Sequence, residues 1–195
     1  MPPRINCKYT NNKGNPADIN PLGRGLVMAA LNINSLLAHC DDLNLFLLNS
    51  KIDVLSINET KIDSSVNDNE IHLPGLEVFR KDRSVNGRCG GCVCIYLRHN
   101  INYKIPDDLC DGQLECIVIE NIRPHSRPFF FSTWYKPPNS PQNGFRQFES
   151  LLDKVDSKQK DFYLLGNVNC NMLDGSNNHN LSTLTNILDY LIYMD

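Results

Sequence analysis

An α/β fold, with two sheets packed face to face and helices outside, is what this 195-residue sequence predicts. Three observations carry the expectation. A strand, a helix and a strand follow one another between Leu26 and Ile57. Four strand-like segments fill the middle, from Leu76 to Tyr135. A helix, a strand and another helix then occupy Phe145 to Tyr193. Strand–helix–strand in quick succession is the mark of a βαβ unit with parallel strands.

Leu26 to Ile33 is the first strand, and Asn34 or Ser35 is placed to cap the helix that follows. Leu36, Leu37, Leu43, Phe46, Leu47 and Leu48 form its apolar stripe, which ends near Asn49-Ser50. Ile52 to Ile57 is the second strand and delivers Asn58, Glu59 and Thr60 at its end. In a βαβ unit Asn32 and Glu59 emerge at the same sheet edge, where α/β sites usually form. Leu76–Phe79 and Gly90–Leu97 read as a hairpin, with an Asn-Gly turn in the basic connection Lys81 to Arg88. Leu114–Glu120 and Pro128–Tyr135 give two more strands, and Pro137 to Pro141 breaks the chain. Phe145, Phe148, Leu151, Leu152 and Val155 have helical spacing. Phe162–Leu165 reads as a strand buried on both faces and ended by Gly166, and Leu181–Tyr193 as a last helix.

Composition is that of an ordinary globular protein, 41% apolar and 21% charged. A net charge of −3 argues against a broad electrostatic grip on nucleic acid, though not against local basic patches. Residues 1–24 read as a disordered polar leader and 25–195 as one domain. No apolar run reaches the length of a membrane span, and the leader lacks the apolar core of a signal peptide. The expectation is an intracellular protein of nucleus or cytoplasm, neither secreted nor membrane-bound, with no stable oligomer. On that footing the eight cysteines are expected as free thiols. Cys89-Gly-Gly-Cys92-Val-Cys94 looks like half a zinc knuckle, but no second half has matching spacing.

The stretch richest in chemistry is Leu165-Gly166-Asn167-Val168-Asn169. Asparagine binds a phosphate oxygen or a metal through its amide, but the amide does not titrate and cannot act as a base. Three further pieces precede it: Leu31-Asn32-Ile33-Asn34, Ile57-Asn58-Glu59-Thr60 and Ser132-Thr133-Trp134-Tyr135-Lys136-Pro137-Pro138-Asn139. In this order the four pieces resemble the endonuclease/exonuclease/phosphatase superfamily, above all the endonuclease domain of non-LTR retrotransposons, which is itself similar to apurinic/apyrimidinic endonucleases. The likeness runs from about Leu26 to the end of the sequence.

The resemblance implies a four-layered α/β/β/α sandwich of two mixed sheets and a Mg²⁺-dependent phosphodiesterase that nicks DNA, with Mn²⁺ as a substitute metal. Carried over by position, Glu59 is the metal-binding carboxylate and Asn32 its neighbour. Tyr135 contacts the phosphate and Asn169 orients it. Arg83 and Arg88, with Arg80 and Lys81 beside them, are candidate contacts to DNA phosphates, although a solvated loop is an equal reading. Asn32 also suits a helix cap, and Tyr135 a rim aromatic.

Two departures from the family pattern stand out. The family's Gly-Asp-x-Asn is Gly166-Asn167-Val168-Asn169 here, so Asn167 keeps the shape of the acid and loses its charge. A terminal Ser-Asp-His does not occur before Asp195, and His179 in Asn-Asn-His-Asn is no substitute, so the domain is expected to lack its C-terminal part and to expose a sheet edge. Three functions follow for test: an endonuclease-like domain of impaired activity, a non-catalytic remnant that binds nucleic acid or a protein partner, and a phosphatase of the same superfamily.

Overall fold

The structure, a computed structural model, describes residues 25–82, 92–110, 112, 114–136 and 143–167. The leader 1–24, the Asn-Gly turn with Arg83 and Arg88, the Pro137–Pro141 break, Asn169, His179 and the helix expected over Leu181–Tyr193 lie outside the described residues.

Eight strands form two sheets of four. In the first sheet β1 (Met28–Asn32) pairs in parallel with β2 (Val54–Asn58), and the helix α1 (Cys40–Leu48) crosses over between them. β3 (Leu76–Lys81) and β4 (Val93–Arg98) form the expected antiparallel hairpin, and the sheet runs β1-β2-β4-β3. The second sheet runs β5-β6-β7-β8, from β5 (Tyr103–Lys104) through β6 (Cys116–Asn121) and β7 (Phe129–Tyr135) to β8 (Phe162–Asn167). Here β7 and β8 are parallel, with α2 (Asn143–Ser157) between them in sequence. Each sheet therefore mixes parallel and antiparallel pairs, and each parallel pair brackets a helix.

Three apolar layers hold four layers of structure together. Leu36, Leu43 and Leu47 meet Leu55, Ile57, Cys94 and Tyr96 under α1. Val54, Ile95 and Leu97 meet Ile119 and Phe131 between the sheets. Val118, Phe130 and Trp134 meet Phe145, Phe148, Leu151, Leu152 and Val155 under α2. The alternation is strict: odd positions of β7 face the other sheet and even ones face α2, as a two-residue period demands. Trp134 stacks on Phe148 with centroids 3.8 Å apart and lies edge-on to Phe145 at 6.0 Å. This is the α/β/β/α sandwich expected of the sequence.

Four local expectations are corrected. Gly166 does not end its strand, because β8 continues to Asn167, which pairs with Tyr135. Nor is β8 buried on both faces. Tyr163, Leu164 and Leu165 are only partly buried, since β8 is the last strand of its sheet among the described residues. Asn34 and Ser35 make no side-chain cap: both take positive φ, 54° and 131°, and the turn is closed by backbone bonds from Ile33 N to Asn58 O and from Leu36 N to Thr60 O. Arg80 is not a solvated loop side chain. Its guanidinium donates to the Val66 and Asp63 carbonyls and to the carboxylates of Asp68 and Asp82, so it clamps the loop before β3.

Cys40, Cys94 and Cys110 are free thiols. Burial in β4, an inner strand of its sheet, pushes the Cys94 thiol far above its usual range, so almost no thiolate forms. In native protein at pH 8, iodoacetamide should modify exposed Cys110 well before Cys94, and urea should abolish the difference. Peptide mass mapping reads this out, and rapid native labelling of Cys94 would contradict the core placement. No helix among the described residues is long and apolar enough to cross a membrane.

Candidate active site

The two parallel strand pairs end at a common rim. β1 finishes at Asn32, β2 at Asn58, β7 at Tyr135 and β8 at Asn167. Polar contacts between the sheets show that these strands run the same way: Ser56 Oγ donates to Thr133 Oγ1 at 2.7 Å, and Asn58 Nδ2 donates to the Trp134 carbonyl at 3.4 Å. The rim thus gathers the carboxyl ends of four strands, the place where α/β folds build sites.

Glu59 is its central side chain. The parallel register sets Asn32 opposite Asn58, so Glu59 leaves the sheet one residue beyond. Asn32 Nδ2 donates to Glu59 Oε1 at 2.8 Å, and the Tyr135 hydroxyl donates to the same oxygen at 3.5 Å. Asn32 is exposed, Glu59 half-buried and Tyr135 buried. The carboxylate is therefore held from the first sheet by an amide and from the second by a phenol, while the rim stays open to solvent.

Glu59 takes φ 57° and Lys61 φ 53°, left-handed angles that cost a non-glycine residue stability and gather at functional sites. Between them Thr60 is fully buried, and its hydroxyl has no hydrogen-bond partner. Its backbone is held on both sides, by Cys92 O and by Leu36 N. That bracing keeps the left-handed turn, and with it the aim of Glu59, in place.

Asn167 reaches the rim through β8, its carbonyl accepting from Lys136 N at 3.2 Å. Lys136 itself is buried, with its ammonium 4.8 Å from the centre of the Phe145 ring. A second cleft, of about 460 Å³ and lined by Glu120, Phe130, Lys158 and Lys160 among others, lies on the second sheet near the start of β7, away from this rim.

The structure thus brings Asn32, Glu59 and Tyr135 together and sets Asn167 beside Tyr135 in the register. Neither Asn58 as an inter-sheet contact nor the left-handed turn at Glu59 is legible in the sequence. An asparagine at a strand end reads as a turn residue, and positive φ at glutamate has no signature in composition.

Among the described residues no three His, Cys, Asp or Glu side chains converge into a chelating cage. A lone carboxylate beside an amide is instead a donor set for a hard, mostly hydrated cation. Mg²⁺ keeps several of its waters and is commonly held through one or two carboxylates. Donating to Glu59 through nitrogen leaves the Asn32 amide oxygen as an acceptor, so the residues present fit such an ion.

No protein-family model and no curated protein matches the sequence. Solved structures do match in shape. An AP endonuclease from Leishmania major superposes with a TM-score of 0.71 at 15% identity, over 92% of this chain and 70% of that one. The endonuclease domain of a telomere-specific non-LTR retrotransposon gives 0.57 at 14%, over 83% of this chain and 68% of that one. A 3′ phosphatase from Neisseria, bound to a product DNA hairpin, gives 0.57 at 16%, over 85% and 71%. At such identities the likeness is one of architecture, and the chain has the fold of the endonuclease/exonuclease/phosphatase superfamily.

Proposed function

We propose that the chain is an endonuclease-like domain of the kind carried by retrotransposons, hydrolysing phosphodiester bonds in DNA with Mg²⁺ and turning over slowly. The observation that carries this is the Asn32–Glu59–Tyr135 constellation, in which an amide and a phenol share one carboxylate oxygen at the joint rim of two sheets. Glu59 and Asn32 would hold the cation, with Mn²⁺ as a substitute. When bound, the metal supplies positive charge against the developing oxyanion. Tyr135 would turn its one O–H from Glu59 to a phosphate seated at the rim, and the left-handed turn fixes the backbone of Glu59 in advance. Asn169 as the phosphate-orienting amide, and Arg83 and Arg88 as backbone contacts on DNA, are proposed from sequence alone.

Among the described residues the rim offers no free base. Glu59 is engaged by two donors, and Asn167 cannot take a proton from water. That favours slow turnover and also supports a second reading, a module that binds DNA without cutting it.

Nicking of supercoiled plasmid in Mg²⁺ tests the proposal. Slow nicking by the unmodified chain should stop in EDTA and fall by about 10²–10³-fold in Glu59→Gln, the scale of losing one electrostatic stabiliser. Nicking that survives both changes would sink the assignment. Mg²⁺-dependent DNA retention on a filter, without nicking, would favour the binding module.

A further inference from the structure

Asn58 is buried, 1% exposed, at the last position of β2. Strand alternation turns it toward the second sheet with Val54 and Ser56. An aliphatic residue would fill this place without the cost of desolvating an amide, and the rest of the inter-sheet layer is largely aliphatic and aromatic. The amide is instead spent on one acceptor, the Trp134 carbonyl, at 3.4 Å.

The same carbonyl is approached closely from another strand. A Cβ on Gly166 would lie 2.3 Å from Trp134 O and 3.0 Å from Trp134 N. One peptide of β7 is thus held by β2 from across the sheet interface and met by β8 alongside. The next residues along these three strands are Glu59, Tyr135 and Asn167. Two residues earlier on β2, the Ser56–Thr133 hydroxyl pair ties the same two strands again.

We infer that Asn58 is a positioning residue: by holding the Trp134 carbonyl, it sets the Tyr135 hydroxyl against Glu59. The inference rests on the nuclease reading for its kinetic consequence and on geometry for its structural one. The backbone reverses into left-handed angles directly after Asn58, so an anchor at this point fixes the origin from which Glu59 projects.

Asn58→Leu removes the amide at nearly constant volume. It should keep the melting temperature and the near-UV circular dichroism of the single tryptophan, Trp134, while kcat for plasmid nicking falls about tenfold and KM stays put. Combined with Tyr135→Phe it should add little, because both act through one contact. Full additivity with Tyr135→Phe would overturn the inference. So would a crystal structure of Asn58→Leu that keeps the Tyr135–Glu59 contact at 3.5 Å. If Asn58→Leu does not fold, Asn58→Ala carries the same measurements. Should Glu59→Ala nick as fast as the parent, or neither chain nick, the nuclease reading fails; the Tyr135–Glu59 distance in the Asn58 variant then decides the positioning role alone.

Discussion

Asn167→Asp is expected to raise the rate of Mg²⁺-dependent nicking by about 10²–10⁴-fold, the range that a positioned general base contributes. The substitution changes an amide to a carboxylate of the same shape at the end of β8, in register with Tyr135. The backbone there is already set by the bond from Lys136 N to the Asn167 carbonyl, so the strand does not have to move to accept it. The new carboxylate must be ionised to accept a proton, so the gain should appear as pH rises through an ordinary carboxylate range and vanish below it. The measurement is the initial rate on supercoiled plasmid across pH, for both chains and for Glu59→Gln in each. An unchanged rate in a folded Asn167→Asp chain would mean that the missing base is not what limits this rim. A gain that persists in Glu59→Gln would place the chemistry elsewhere.

Much of this site is legible in the sequence because it depends on parallel pairing. A βαβ unit puts the ends of its two strands side by side whatever the details of its loops, so Asn32 and Glu59 were bound to meet. The register with Asn32 opposite Asn58 then leaves Glu59 just beyond the sheet. Tyr135 follows from the same rule applied to β7 and β8, since α2 makes them parallel and ends both at the rim. The layering was legible for a similar reason: helical spacing from Phe145 to Val155 selects one packing face, and the apolar run of β8 has side chains for both of its faces, Phe162 and Leu164 toward α2 and Tyr163 and Leu165 toward the other sheet.

What was not legible depends on contacts between residues far apart in the chain. Asn58 meets Trp134 across 76 positions, and only the facing of two sheets makes its amide an anchor rather than a turn residue. Arg80 looked like part of a basic loop because the sequence gives no way to see the carbonyls of Asp63 and Val66 converging on it. Asn34 and Ser35 had the right chemistry for capping, but the need to bring Leu36 N onto Thr60 O forced both into angles from which they do not cap. In each case a local preference yields to a tertiary bond whose partner is invisible locally.

Gly166 is the position where a local reading and the tertiary structure differ most in consequence. Read locally, it stops a strand by accepting backbone angles that a bulkier residue would not. In the structure it sits inside β8 at φ 146°, an angle that only glycine takes readily, with the Trp134 carbonyl where a Cβ would be. The obstacle is backbone in the neighbouring strand, which cannot rotate aside as a side chain could. Gly166→Ala should therefore cost roughly 3–5 kcal/mol from angular strain and overlap together. For a domain of this size that corresponds to a fall of roughly 6–20 °C in melting temperature. Gly75→Ala is the control: φ is 79°, but nothing lies within 4 Å of its Cβ, so it carries strain without overlap and should cost only about 1–2 kcal/mol. Thermal unfolding followed by Trp134 fluorescence compares the two, because Trp134 is the residue that the new methyl would displace. Equal shifts would mean that β8 does not approach β7 as closely as the structure has it. A large excess at Gly166 would fix the close approach that brings Asn167 to the rim, and would explain why a glycine must precede whatever residue stands at the place of the base.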